Sequence, residues 1–165
     1  MSKAAEPPLA DPQHIPRLVS AEADALDEFV QLLETEQEAL AAGEIDRLLP
    51  LAEQKNLSAG RLADMARQRN QALGAAALAA DRVGMDAWLA RHPGAAAVRR
   101  DWERLLGAAA RARNLNELNG RLIAERVRHN QQALAALMAA GEQAALYGPD
   151  GQQRISGAGS TLGRA

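Results

Sequence analysis

The chain contains no cysteine. Disulfides, thiolate metal sites and cysteine nucleophiles are excluded, and with them the small extracellular scaffolds that disulfides hold together. Aromatic residues are nearly absent: Phe29, Trp88, Trp102 and Tyr147 are the whole set. A core built almost without them has to come from Leu and Ala, which are small and let helices approach closely, so the composition points to helix packed on helix. No apolar run approaches the roughly 20 residues that cross a bilayer. The opening MSKAAEPPLADPQHIPR has Pro and charge where a signal peptide needs an apolar stretch. A cytoplasmic protein without membrane insertion is the expectation. The formal charge of −2 supplies no general attraction to nucleic acid or to an anionic membrane.

Residues that carry chemistry are just as sparse. His14, His92 and His129 fall in three separate segments, none with a second His or a carboxylate at the spacing of His-Glu-x-x-His, and they read as surface or packing residues. There is no Gly-x-Ser-x-Gly elbow and no phosphate loop ending in Lys-Ser/Thr. GAGSTLG near the C-terminus has no strand before it and no helix after it, so it reads as tail. A di-metal bundle needs Glu-x-x-His from two helices, and the chain has none. Glu34, Glu36 and Glu38 stand two apart on a helix, point in divergent directions and read as a solvated face. The expectation is no enzyme, no cofactor and no metal.

What the sequence does contain is helical periodicity. A first helix is expected from about Pro16 or Ser20, with Leu26, Phe29, Leu33 and Leu40 on one stripe that Glu36 interrupts, and with Ala42-Gly43 as its stop. A second should start between Glu44 and Asp46, with Pro50 in or just past its first turn. Leu48, Ala52, Lys55, Ala59, Leu62, Ala66, Arg69 and Leu73 then alternate three-four, a heptad seam with two basic residues intruding. A short helix, Met85 to Arg91, is bracketed by Gly84 and by Pro93-Gly94, with Trp88 and Leu89 closing the bundle end. The third long helix runs from about Ala95 to Ala140 through Asn119-Gly120, its seam passing through Val98, Trp102, Leu105, Ala109, Ala112, Ile123, Ala133 and Leu137. The predicted fold is therefore all-α: an elongated antiparallel three-helix bundle over 17–141 with coiled-coil-like packing and a short connecting helix. Flexible segments over 1–16 and 142–165 flank it.

Charge sorts the helices. From Arg17 to Arg47 nine acids stand against two Arg, and from Ala95 to Asn130 eight Arg stand against four acids. The acidic first helix and the basic third are expected side by side, each pair contributing little while the pattern disfavours wrong neighbours. No aromatic residues interleave the Arg for base stacking, so nucleic acid is not an expected partner. Asn116, Asn119 and Asn130 read equally well as polar seam residues that fix register and as solvent-facing edges. Whether the seams close within one chain or between two is also open, so the expected state is a monomer or a weak homodimer.

The segment ARNLNELNGRLIAERVRHNQQALAAL followed by LYGPDGQ, together with EQEALAAGEIDRLLPLAEQKNLSAGRL upstream, closely resembles the FlgN family of flagellar export chaperones. The resemblance implies binding of the two hook-filament junction proteins and their delivery to the flagellar export gate, with the export ATPase complex as a further contact, and without ATP hydrolysis by the chaperone. It places substrate on the helix around Asn130, Gln131, Leu134, Leu137 and Met138 and on the tail with Leu146, Asp150 and Gln152. Tyr147 would contribute to docking on the gate. A general coiled-coil adaptor remains the alternative reading, and a small helical enzyme a third.

Helix lengths bear on the same stretch. At 1.5 Å per residue the second helix spans ~50 Å and the third ~69 Å, so with their starts level the surplus of ~19 Å falls near Arg128 to Ala140. Leu134, Leu137 and Met138 are thus expected to be exposed. The Gly/Ser tail with isolated apolar anchors suits folding against a partner followed by release.

Overall fold

The computed structural model describes residues 13–146, with side chains to residue 143. Residues 1–12 and 147–165, where most of the expected flexible ends fall, lie outside the described residues. Four α-helices follow one another, α1 (His14–Ala42), α2 (Ile45–Ala75), α3 (Arg82–Arg91) and α4 (Ala96–Leu146), and there is no strand among the described residues. The all-α expectation and the short connecting helix are met.

Local chemistry sets the ends. Pro16 sits in the first turn of α1, where its missing N–H would have found no helical partner. The helix can therefore begin two residues ahead of it, at His14. At the other end Gly43 takes the left-handed conformation (φ 77°) and the Glu44 N–H reaches back to the Ala39 carbonyl, the six-to-one bond of a Schellman turn. Pro50 lies inside α2 and not in its first turn, so the Asp46 carbonyl loses its helical donor. After α2 the chain turns through Ala77, the one non-glycine residue with positive φ (55°) among those described.

The helix α3 starts at Arg82, three residues earlier than its periodicity suggests. Asp81 caps it, its carboxylate accepting the Gly84 N–H at 3.0 Å. Gly84 is not a bracket but part of this first turn. A Cβ there would run into the Ala79 carbonyl oxygen and lie 2.7 Å from the Ala79 carbonyl carbon.

The chain divides into two compact units, Met1–Leu122 and Ile123–Ala165. In the first, α1 supplies Ile15, Val19, Ala23, Leu26, Val30 and Leu33 to one core, α3 supplies Met85, Trp88 and Leu89, and α4 supplies Val98, Trp102, Leu105, Ala108 and Ala112. From α2 only Leu73 is fully inside, with Leu62 and Ala72 half-buried against the cluster. The ion pairs give the directions. Along α1 the partners on α2 run backwards, Glu22 with Arg69 and Glu36 with Lys55, so these helices are antiparallel. Partners on α4 run forwards, Asp24 with Arg104 and Glu34 with Arg111, so α1 and α4 are parallel. The acidic helix and the basic helix are neighbours, as their charges led us to expect.

Two sequence readings need correction. Glu36 is not on a solvated face: it is 4% exposed, because the stripe of α1 carries it inward, where Lys55 and Asn119 satisfy it. The seam of α4 does not stay in a core as far as Ile123, whereas Leu137 is exposed as the helix lengths lead one to expect. Its last fully buried residue is Asn119, and Ile123, Ala133 and Leu137 are all exposed. Between the two readings left open for the asparagines, Asn119 is a seam residue, while Asn116 and Asn130 face water. The expected continuity holds: α4 runs through Asn119-Gly120 without a break, since Gly costs a helix interior only about 1 kcal/mol. It also passes Ala140 and ends at Leu146.

Candidate functional site

Within the second unit the described part is the C-terminal half of α4. Its large apolar side chains are mostly in water: Ile123 is 39% exposed, Val127 50%, Leu134 59%, Leu137 71% and Met138 61%. At 100° per residue these five positions fall within an arc of about 100°, a single stripe along one side of the helix. Asn130 lies in the same arc and Gln131 at its edge, and both are exposed. Alanines at 133 and 140 flank one side of the stripe, so another helix could approach the backbone closely there. The charged residues around it form only exposed pairs, Arg121 with Glu117 at 3.8 Å and Arg128 with Glu125 at 4.0 Å. Pairs of this kind contribute less than about 1 kcal/mol.

An apolar stripe in water is a binding resource. Burying one Leu side chain is worth roughly 1.5–3 kcal/mol, and a run of exposed apolar side chains marks an interaction surface more often than chance does. The spacing i, i+4, i+11, i+14, i+15 is that of anchors which an amphipathic partner helix reads. Of the sequence-derived site residues, Asn130, Gln131, Leu134, Leu137 and Met138 come together on this face. Leu146 is the last residue of α4, its side chain outside the described set. Tyr147, Asp150 and Gln152 lie outside the described residues. Ile123 and Val127 were missed as surface residues, because in sequence they continue a seam that is buried upstream. The available signal was Asn119-Gly120, a polar and a small residue interrupting that seam.

Elsewhere the structure offers little chemistry. A groove of roughly 690 Å³ in the first unit is lined by Ile15, Ala72, Ala75, Leu78 and Trp88, with His14, Arg91 and His92 beside them. Among the described residues no Ser, Thr, Asp or Glu lines it. His92 stacks on Trp88, ring centroids 4.1 Å apart, and its Nδ1 lies 2.8 Å from the Trp88 carbonyl. Among the described residues no group of three or more His, Asp or Glu could hold a metal ion, and no helix is long and apolar enough to cross a membrane.

Electrostatic shifts follow packing. Burial pushes the Glu22 carboxyl up from its ordinary 4.5, and Arg69 beside it only partly opposes this. A hydrogen bond from the Arg104 guanidinium to Asp24 raises the Arg104 pKa further above its already high ordinary value. Both groups serve packing between helices.

The described residues thus present an all-α chain with a Leu/Ala core in the first unit and a row of exposed apolar side chains on α4 in the second. The FlgN protein family model matches residues 13–155. The chain belongs to the FlgN family, the flagellar export chaperones. No curated protein and no solved structure matches it.

Proposed function

We propose that this chain is a cytoplasmic chaperone that binds the flagellar hook-filament junction proteins, keeps them competent for export and delivers them to the flagellar export gate, with the export ATPase complex as a second station. The observation that carries the reading is the exposed stripe Ile123, Val127, Leu134, Leu137 and Met138. In this reading an antiparallel three-helix bundle over 17–141 is the carrier, and the tail over 142–165 folds on a partner. Substrate is held by Asn130, Gln131, Leu134, Leu137, Met138, Leu146, Asp150 and Gln152. Tyr147 docks on the gate. The chaperone acts as a monomer or a weak homodimer, without cofactor, metal or nucleotide hydrolysis. Release matters as much as capture, and a partly polar face of modest area allows both.

The test is calorimetric binding of the purified full chain to each junction protein, with Leu134→Asp and Leu137→Asp compared to wild type. Both side chains are exposed, so the melting temperature should stay within about 2 °C of wild type, while affinity falls at least tenfold. Unchanged affinity for both junction proteins would sink the reading and leave a general coiled-coil adaptor in its place.

A further inference from the structure

Two layers of buried charge cross the first unit. In one, Glu22 of α1 meets Arg69 of α2 at 3.1 Å, and the Arg69 guanidinium lies 5.0 Å from the centre of the Trp102 ring of α4. In the other, Glu36 of α1 accepts from Lys55 of α2 at 2.6 Å and from the Asn119 amide of α4 at 2.9 Å, while that amide also donates to the Leu33 carbonyl at 2.8 Å. Each layer takes one residue from each long helix. Glu22, Glu36, Arg69 and Asn119 are all at most 9% exposed. Replacing such groups with apolar side chains is often neutral or stabilising, so stability alone does not account for them.

We infer that these two layers set the register of the three helices, selecting one alignment from several that the apolar seams would accept. Glu36 follows Glu22 by two heptads, and Lys55 precedes Arg69 by two heptads, with Phe29 and Leu62 midway. In the observed antiparallel alignment both acids therefore meet both bases. Sliding α2 by one heptad in one direction puts Glu22 opposite Leu62 and Lys55 opposite Phe29. Sliding it in the other puts Glu36 opposite Leu62 and Arg69 opposite Phe29. Either slip parts both acids from both bases, whereas a seam of Leu and Ala changes little when shifted by a heptad.

The same holds for α4. A one-heptad slip replaces Asn119 by Ala112, which removes the amide donor from the Leu33 carbonyl and leaves Glu36 with Lys55 alone, or by Arg126, which brings a second cation to Lys55. Asn119 thereby decides which residues of α4 enter the core and which remain outside it. This inference concerns the core of the first unit and stands apart from the choice of partner.

Because the chain has no cysteine, introduced pairs report register without background. Positions 26 and 65 lie level with each other in the observed alignment, whereas 33 and 65 become level only after a one-heptad slip. In the otherwise wild-type chain, oxidation should close 26–65 and leave 33–65 open. In the chain carrying Glu22→Leu, Glu36→Leu, Lys55→Leu and Arg69→Leu, helicity and melting temperature should be kept or raised, and 33–65 closure should increase roughly tenfold or more. Lys55→Arg with Arg69→Lys should restore the wild-type pattern, since charge is kept. A fourfold Leu chain that folds and still closes only 26–65 overturns the inference. Should that chain fail to fold, Glu22→Leu with Arg69→Leu removes one layer, and no rise in 33–65 closure there overturns it equally.

Discussion

Placing a methyl group on Gly84 tests how closely the chain approaches itself before α3. The new Cβ would overlap the Ala79 carbonyl oxygen and stand 2.7 Å from the Ala79 carbonyl carbon and 3.0 Å from its nitrogen. All three are backbone atoms, so no rotamer change relieves the overlap. Either the 79–81 turn moves away or α3 unwinds its first turn and loses the Asp81 cap. Forced overpacking costs about 1–3 kcal/mol, and loss of the cap about 1 kcal/mol more. Against this, Ala in place of Gly in a helix gains about 1 kcal/mol at most. The balance is a loss of about 1–3 kcal/mol, a fall in melting temperature of roughly 2–12 °C for a chain of this size. Gly120→Ala is the internal control. It lies within α4 with nothing within 4 Å of the added carbon, so only the propensity gain of about 1 kcal/mol remains and the melting temperature should rise by roughly 2–4 °C. Thermal melts followed by circular dichroism decide it. A Gly84→Ala chain that melts at or above wild type would refute the close approach, and a Gly120→Ala chain that melts below it would refute the continuous open helix.

Two further outcomes are expected besides the binding and cross-linking experiments above. Burial raises the Glu22 carboxyl above its ordinary 4.5, so from there upwards the native state holds a proton that the unfolded chain has released, and Glu22's contribution to stability falls as pH rises through the native pKa. The stability difference, wild type minus Glu22→Gln, should therefore be largest at the acid end and shrink toward neutrality in chemical denaturation; a difference that grows with pH refutes the assignment. Tyr147→Ala should leave the soluble complex with a junction protein intact while weakening attachment to the export gate by about 2 kcal/mol, and equal loss of both interactions in paired binding assays would contradict that division.

The sequence made the helices legible because Leu and Ala spacing, Gly43 and Pro93-Gly94 are local signals that act within a turn or two. It also made α1 and α4 neighbours, since opposite net charges are additive over a helix. Boundaries shifted where a local signal had two readings: Pro16 marks the inside of a first turn as well as a stop, and Asp81 was unrecognised as the cap that lets α3 begin before Gly84. Glu36 was misread because carboxylates two apart diverge, which places one of them inward as readily as it places all of them outward. Its partner Lys55 is close only after α1 and α2 pair, a fact no local window holds. On the candidate face, Leu134, Leu137 and Met138 were legible from helix lengths. Ile123 and Val127 were not, because periodicity tells which side of a helix a residue takes and is silent on whether anything lies against that side.

The placement of the two tryptophans governs what spectroscopy can see. Trp88 and Trp102 are 7% and 4% exposed, both within the Met1–Leu122 unit, and each has a cationic or ionisable neighbour: Trp102 has Arg69, and Trp88 has His92 stacked on its ring. Intrinsic emission is thus a gauge of that unit alone. It should follow the melting of the core. The unit that carries Leu134, Leu137 and Met138 has no tryptophan of its own. Binding studies on this chain need a probe placed on α4 beyond Ile123, and a silent tryptophan signal there says nothing against an occupied site.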